Sequence, residues 1–249
     1  RMEPTRLVIW LASQSPLEFR LQLSVDHDDW QSVIPVTHHP VRVGERCYLH
    51  LLSFTPATPL PQDVFIEYDL QWQDEHSANW HGLTDWAKDA AQPGRSLPRF
   101  VLRSRMDKLL HGSCRKPHHA SDDGMVTAAN WLAKRSEQPD QWPGALLLSG
   151  DQVYVDDVAG PMLTAIHQLI SKLGLYPETI EGALVNNSKE LFDSEYNYYR
   201  RGELLPDIEN NESLQKRFFE GARKPVFTSA NADNHLVTFA EVIAMYLLV

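Results

Sequence analysis

Cysteine is scarce. Cys47 and Cys114 are the only two in the chain and lie in segments of different character, so no disulfide framework is expected. Long apolar runs are missing as well: none reaches the roughly 18 residues that a bilayer span needs, so no membrane span is expected. Basic residues are outnumbered, with 23 Lys and Arg against 33 Asp and Glu and a net charge of -10. An acidic surface repels nucleic acid and anionic membranes, so neither is an expected partner. A local cationic pocket stays possible, because bound metal ions can supply positive charge for an anionic substrate. The start, from Arg1 to Leu11, lacks the basic, apolar and small-residue order of a signal peptide, so a cytoplasmic location is expected. An exported protein whose leader had been removed would look the same. There is no internal repeat and no low-complexity tract.

What is present suits a packed protein. The 249 residues are 43% hydrophobic and 22% charged, which is ordinary globular composition. The length allows one large domain or two ordinary ones.

The first hundred residues read as strands. Arg6 to Leu11 is apolar and β-rich. Leu17, Phe19, Leu21, Leu23 and Val25 alternate with Glu18, Arg20, Gln22 and Ser24, the period of two of a half-buried strand. Val41 to Phe54 holds another strand after the Gly44 turn, and Val64, Ile66, Tyr68, Leu70 and Trp72 alternate again. Pro56, Pro59 and Pro61 punctuate the connection between them. Short strands at this spacing predict an antiparallel, immunoglobulin-like β-sandwich. Cys47 and the tryptophans Trp10, Trp30, Trp72, Trp80 and Trp86 are expected to pack within and around it. The stretch 92–98, Gln-Pro-Gly-Arg-Ser-Leu-Pro, reads as a linker, dividing the chain into 1–97 and 98–249.

Beyond it the period changes. Phe100 to Leu102 and Lys108 to His111 read as short strands. A helix is expected over Ser121 to Arg135, with Ser121, Asp122 or Asp123 as N-cap and Met125, Ala128, Ala129 and Leu132 on its apolar face. Ala145 to Leu148 is an unbroken apolar run suited to a strand buried on both faces. Pro161 to Leu173 has helical spacing of Leu163, Ile166, Leu169, Ile170 and Leu173, ended by Gly174 and Pro177. Strand, helix, strand, helix predicts an α/β layer, and the fold class as a whole is mixed α and β. Thr238 to Val249 is apolar nearly all round and so predicts a buried helix. With no cap after it, the expectation is a chain that stops inside this second domain.

The chemistry is concentrated in His111-Gly112-Ser113-Cys114-Arg115 and in Ser149-Gly150-Asp151-Gln152-Val153-Tyr154, followed by Asp156 and Asp157. Each segment follows an expected strand, and ligands of α/β sheets collect at carboxyl ends of strands. Gly112 and Gly150 permit tight turns there. A carboxylate such as Asp151 can bridge hard cations. A thiolate and a phenolate, from Cys114 and Tyr154, are strong donors once deprotonated. A Cys, Asp and Tyr set can hold iron, zinc or manganese. Arg115 and Lys116 are better suited than His118 and His119 to binding phosphate oxygens, because a guanidinium does so with two donors. Each residue also has a bland reading: Cys114 as a small core side chain, Tyr154 as surface packing, Asp156 and Asp157 as a solvated turn. Tyr196, Tyr198, Tyr199, Arg200 and Arg201 form an aromatic-basic cluster that could line a substrate entrance or serve domain packing or self-association.

Gly112-Ser113-Cys114-Arg115 followed by Gly150-Asp151-Gln152-Val153-Tyr154 resembles the PhoD-like, or alkaline phosphatase D, family. Asn234-His235-Leu236 before the final helix resembles a bacterial branch of it, and the order of β-sandwich and catalytic domain does too. The resemblance covers about Leu97 to Val249 by motif and the rest by arrangement. It implies a metallophosphoesterase-like domain and an iron-calcium cluster, with Cys114 and Tyr154 binding iron and Asp151 bridging iron and calcium. In that reading the chain is the front part of a metal-dependent phosphomonoesterase or phosphodiesterase, with Asp151 and Arg115 at the reacting centre. The family's later Asp-Asp-His-rich stretch is not found before Val249, so this chain alone is expected to be inactive. Asn234-His235 departs from the Gly-Asn-His-Glu metal motif at both flanks, with Asp233 and Leu236, and is read as capping and packing. The alternative is a non-catalytic binding module on a β-sandwich and a degenerate phosphatase scaffold.

Overall fold

The computed structural model describes residues 2–25, 31–34, 36–74, 76–115, 120, 122–156, 158–204 and 232–249. Trp30, Lys116, His118, His119, Ser121 and Asp157 fall outside them. The fold is mixed, with antiparallel sheets and few helices. The chain divides into two compact units, Arg1–Arg42 with Cys47–Gly150, and Val43–Arg46 with Asp151–Val249.

β1 (Met2–Glu3), β2 (Arg6–Ser13), β5 (Val36–Thr37) and β7 (Cys47–Phe54) of the first unit form one antiparallel sheet with β6 (Val41–Gly44), whose last two residues are counted with the second unit; β2 and β7 are at its centre. A second antiparallel sheet runs β4 (Gln31–Ile34), β3 (Leu17–Val25), β8 (Phe65–Asp74), β9 (Arg99–Val101). The period of two decides which residues face inward. Phe19, Leu21 and Leu23 are buried and stand opposite Trp72, Leu70 and Tyr68. Such cross-strand apolar pairs are the unit of sheet stabilisation. Leu7, Leu52 and Phe54 from the other sheet join them in one apolar cluster. Each fully buried Leu or Phe there contributes about 1.5–3 kcal/mol relative to an exposed one. Cys47 is buried, and burial pushes its thiol pKa up. Trp72 packs against the cluster and stacks on His81, and Trp80 lies under Arg20. Trp10 is exposed, because it alternates onto the outer face of β2. Trp86, at the end of α1 (Leu83–Trp86), is exposed too, although its Nε1–H donates to the Leu70 carbonyl at 3.3 Å.

The Phe100 segment pairs antiparallel with β8, so it extends the second sheet. After it, β10 (Leu109–Gly112) and β11 (Ala145–Leu148) form a separate two-stranded parallel sheet. The connection between them contains α2 (Gly124–Ala133), capped by the Asp123 carboxylate, which accepts from the Met125 N–H at 2.8 Å.

Two expectations fail here. Leu146, Leu147 and Leu148 are 46%, 51% and 39% exposed, not buried on both faces. The expected apolar face of α2 has no buried residue. An apolar run selects pairing, but burial needs further layers, and this sheet has two strands.

In the second unit, α3 (Gly160–Leu173) buries Leu163, Ile166, Ile170 and Leu173 and packs against α5 (Phe239–Leu248). The shorter α4 (Ser188–Asp193) lies between them in sequence and is capped by Asn187. Gly174 ends α3 at φ 59°, in the left-handed region glycine adopts without strain. The last-turn carbonyls of α3 are taken up within the same unit, by its segment Val43–Arg46. Glu45 N–H donates to the Gly174 carbonyl at 2.8 Å and Arg46 N–H to that of Leu173 at 2.9 Å. α5 starts with a capping box of Thr238 and Glu241. It buries Ala240, Glu241, Ile243, Ala244 and Met245, while Phe239, Tyr246 and Leu248 are exposed. The expected all-round burial of this helix therefore holds for one side only. No helix among the described residues is long and apolar enough to cross a membrane.

Candidate functional site

The parallel pairing of β10 with β11 decides what the two motif segments share. Leu109, Leu110, His111 and Gly112 stand opposite Ala145, Leu146, Leu147 and Leu148, so both strands end level. Ser149 N–H continues the ladder to the Gly112 carbonyl at 3.0 Å. One step back, His111 Nε2 and Ser149 Oγ are 2.6 Å apart.

Cys114 follows at φ 53°, a conformation that side-chain-bearing residues adopt rarely and that costs on the order of 1–3 kcal/mol. Its exposed thiol lies 3.2 Å from Ser113 Oγ. Gly150 closes onto it. A methyl group on Gly150 would come within 2.2 Å of Ser113 Oγ, 2.4 Å of Cys114 N and 2.5 Å of Cys114 Sγ. Side-chain contacts that short do not occur, so position 150 has to be glycine if the Cys114 turn is to lie where it does. The bland reading of Cys114 as a core residue does not fit an exposed thiol in a strained turn.

Arg115 already has a partner. Its guanidinium donates to Asp123 at 3.0 Å. Hydrogen bonding to Arg115, then to the Met125 N–H, holds the Asp123 carboxyl below its ordinary range. The residue proposed from sequence for phosphate is thus tied to the helix cap.

Asp151 and Tyr154 belong to the second unit, Asp151 exposed and Tyr154 half-buried. Their segment is anchored at Val155, whose carbonyl accepts from Leu236 N–H at 2.8 Å. Asn234 is buried next to that anchor. Its Oδ1 accepts from Tyr199 N–H at 2.8 Å, and its Nδ2 donates to the Val158 carbonyl at 3.1 Å. Packing and backbone satisfaction therefore account for Asn234. His235 offers its carbonyl to Arg201 at 3.0 Å.

Arg201, grouped by sequence with an aromatic-basic cluster that could line an entrance or serve packing, is fully buried. Its Nη1 is 2.7 Å from Glu241 Oε1, and Glu241 is itself 0% exposed. The same oxygen is 3.0 Å from His167 Nε2. Glu241 Oε2 accepts from the N–H groups of Val237 and Thr238 at 3.0 and 3.2 Å. Burial pushes the Glu241 carboxyl up, yet the His167 hydrogen bond and the Arg201 charge outweigh it and hold it at about 2. The one signal for this pair in the sequence is a single acid inside an apolar helix, which needs a buried partner.

Among the described residues, no group of three or more His, Cys, Asp or Glu side chains lies close enough together to hold a metal ion. What they offer a metal is individual donors of suitable chemistry: the accessible Cys114 thiol in its glycine-floored turn, the exposed Asp151 carboxylate and the Tyr154 phenol. No protein-family model matches the chain, and no curated protein matches it.

Proposed function

We propose that the chain carries part of a metal-dependent phosphoester hydrolase of PhoD-like type. In this reading its antiparallel sheets are an immunoglobulin-like accessory sandwich, and β10 and β11 open a metallophosphoesterase-like layer. The observation that carries it is the level pairing of β10 and β11, with Cys114 in a strained, exposed turn over Gly150. A structural cysteine gains nothing from exposure or strain, whereas unusual backbone geometry at a strand end is common where a ligand is held.

Cys114 from the end of β10, and Asp151 and Tyr154 from the segment after β11, are the proposed ligands, for iron with calcium and with zinc or manganese as substitutes. When bound, such a metal supplies Lewis acidity and a hydroxide nucleophile near neutral pH. Arg115 would orient a phosphoryl oxygen, and its guanidinium must then share itself between Asp123 and substrate or exchange one for the other. The Leu236 hydrogen bond to Val155 would fix the backbone next to Tyr154.

The test uses the complete gene product. Mass-spectrometric metal content is expected to show iron, with or without calcium, near one equivalent, and its loss in Cys114→Ser. Turnover of an aryl phosphomonoester or diester is expected to fall at least about 100-fold in Asp151→Asn, beyond what loss of an outer-shell partner costs. Undiminished turnover in that variant, or folded wild-type protein without metal, would leave the non-catalytic binding module as the better reading.

A further inference from the structure

Outside that site, the first unit holds a histidine whose hydrogen bonding fixes its tautomer. His50, on β7 opposite Leu11, is 0% exposed. Its Nε2 is 2.8 Å from Ser13 Oγ, and Ser13 Oγ is 2.5 Å from the Ser15 carbonyl. A hydroxyl has one proton to give. The Ser15 carbonyl can only accept, so it takes that proton, and Ser13 Oγ must accept from His50. Nε2 therefore carries the ring hydrogen. Nδ1 is left with a lone pair, fully buried, with no hydrogen-bond partner among the described residues.

A buried acceptor without a donor costs on the order of 1–3 kcal/mol. Native structures seldom leave one without a reason. The surroundings supply one. The half-buried His38 ring lies 5.6 Å from that of His50, centroid to centroid, tilted by 42°. Phe19 packs T-shaped against both, at 5.7 and 5.0 Å. Two imidazoles sharing one zinc, with zinc–nitrogen bonds of about 2.0–2.1 Å, put their ring centroids about 5–6 Å apart at a tetrahedral angle. The Ser13 hydroxyl on Nε2–H is the outer-shell contact that metal-ligating histidines use to set tautomer and ring orientation.

We propose that His50 Nδ1 and His38 form a binding site for a late first-row divalent cation, zinc or copper, with water completing its shell and Ser13 positioning His50. Imidazole donors suit these metals. Partial exposure of His38 gives the ion a way in. Burial first, and the neighbouring His38 second, lower the His50 pKa to about 4, so the ligand is already deprotonated at neutral pH. Nothing in this site depends on the phosphatase reading.

The experiment is zinc titration of chelator-stripped complete protein by calorimetry, with copper as a second probe. Cys114→Ser is run alongside, so that zinc held at the proposed phosphatase site is distinguished by that variant. Zinc binding is expected in the wild type and in Cys114→Ser, weakened at least about tenfold in His38→Asn and in Ser13→Ala, with unchanged circular dichroism. Nitrogen NMR of labelled histidines should show His50 as the Nε2–H tautomer, with its Nδ1 resonance shifting on zinc addition. Zinc affinity indifferent to His38→Asn, or a His50 carrying its proton on Nδ1, would overturn the proposal. Because His38 is only half-buried, its variant remains informative even if a His50 substitution prevents folding.

Discussion

Arg201→Met is expected to destabilise the second unit by about 3–5 kcal/mol, read as a lowered urea midpoint for that unit. Removing one partner of a buried ion pair leaves the other charge uncompensated, and that is the costly step. Glu241 is the partner left behind: it is fully buried, and among the described residues Arg201 is one of its two side-chain partners. The same change removes the donor to the His235 carbonyl, next to the Leu236 N–H that holds Val155. Replacing both residues, as Arg201→Met with Glu241→Leu, should recover a large part of the loss, since a well-packed apolar pair is often no worse than a buried ion pair. A single variant as stable as wild type would mean the pair is solvated in solution.

The pair also sets an acid limit. The Glu241 carboxyl is held at about 2, against an ordinary value of 4.5. A carboxyl whose pKa is lower in the folded state stabilises the fold fully above its unfolded value. That contribution declines as pH falls from about 4.5 toward about 2 and is gone below it. The urea midpoint of the wild type should therefore fall across this window, and Glu241→Gln should lack that component of the fall.

Gly150→Ala is expected to have the second largest effect, about 1–3 kcal/mol in the first unit, the usual cost of overpacking. The added methyl would meet Ser113 Oγ, Cys114 N and Cys114 Sγ at 2.2–2.5 Å. One of these atoms is backbone and cannot step aside by changing rotamer, so the Cys114 turn itself must move. The altered turn should show as a changed rate of Cys114 labelling by a thiol reagent, compared with wild type under native conditions. An unchanged midpoint together with an unchanged labelling rate would show that the turn is not held as described.

Much of the secondary structure could be read from the sequence, and the reason is local. The alternation from Leu17 to Val25 and from Val64 to Trp72 fixes two strands, because in a strand the side chains point alternately to the two faces. The spacing of Leu163, Ile166, Ile170 and Leu173, with Gly174 after them, likewise fixes α3 and its end. Those periods are set by backbone geometry and need no partner. The segments around Cys114 and Asp151 could be read as strand ends for the same reason.

Partnership was not legible. The Phe100 strand pairs with β8, where the sequence read it as opening the next region. The run from Ala145 to Leu148 pairs with β10 as a neighbouring parallel strand, but its three leucines remain exposed. Arg201, read only as part of an aromatic-basic cluster, is the buried counter-ion of Glu241, 40 residues away in sequence. His38 and His50 stand in unremarkable loop and strand contexts, and only the Ser13 hydroxyl reveals which nitrogen of His50 holds the proton.

The sequence by itself thus determined the strands with a clear period of two, the helices over 124–133, 160–173 and 239–248, and where chemistry-bearing residues follow a strand. Those properties follow from steric period and composition, which act over a few residues. The tertiary structure alone decided which strands pair, which apolar faces are covered, and which charges are buried together. Burial and electrostatic pairing depend on groups far apart in the chain meeting in space, and no local period encodes that meeting.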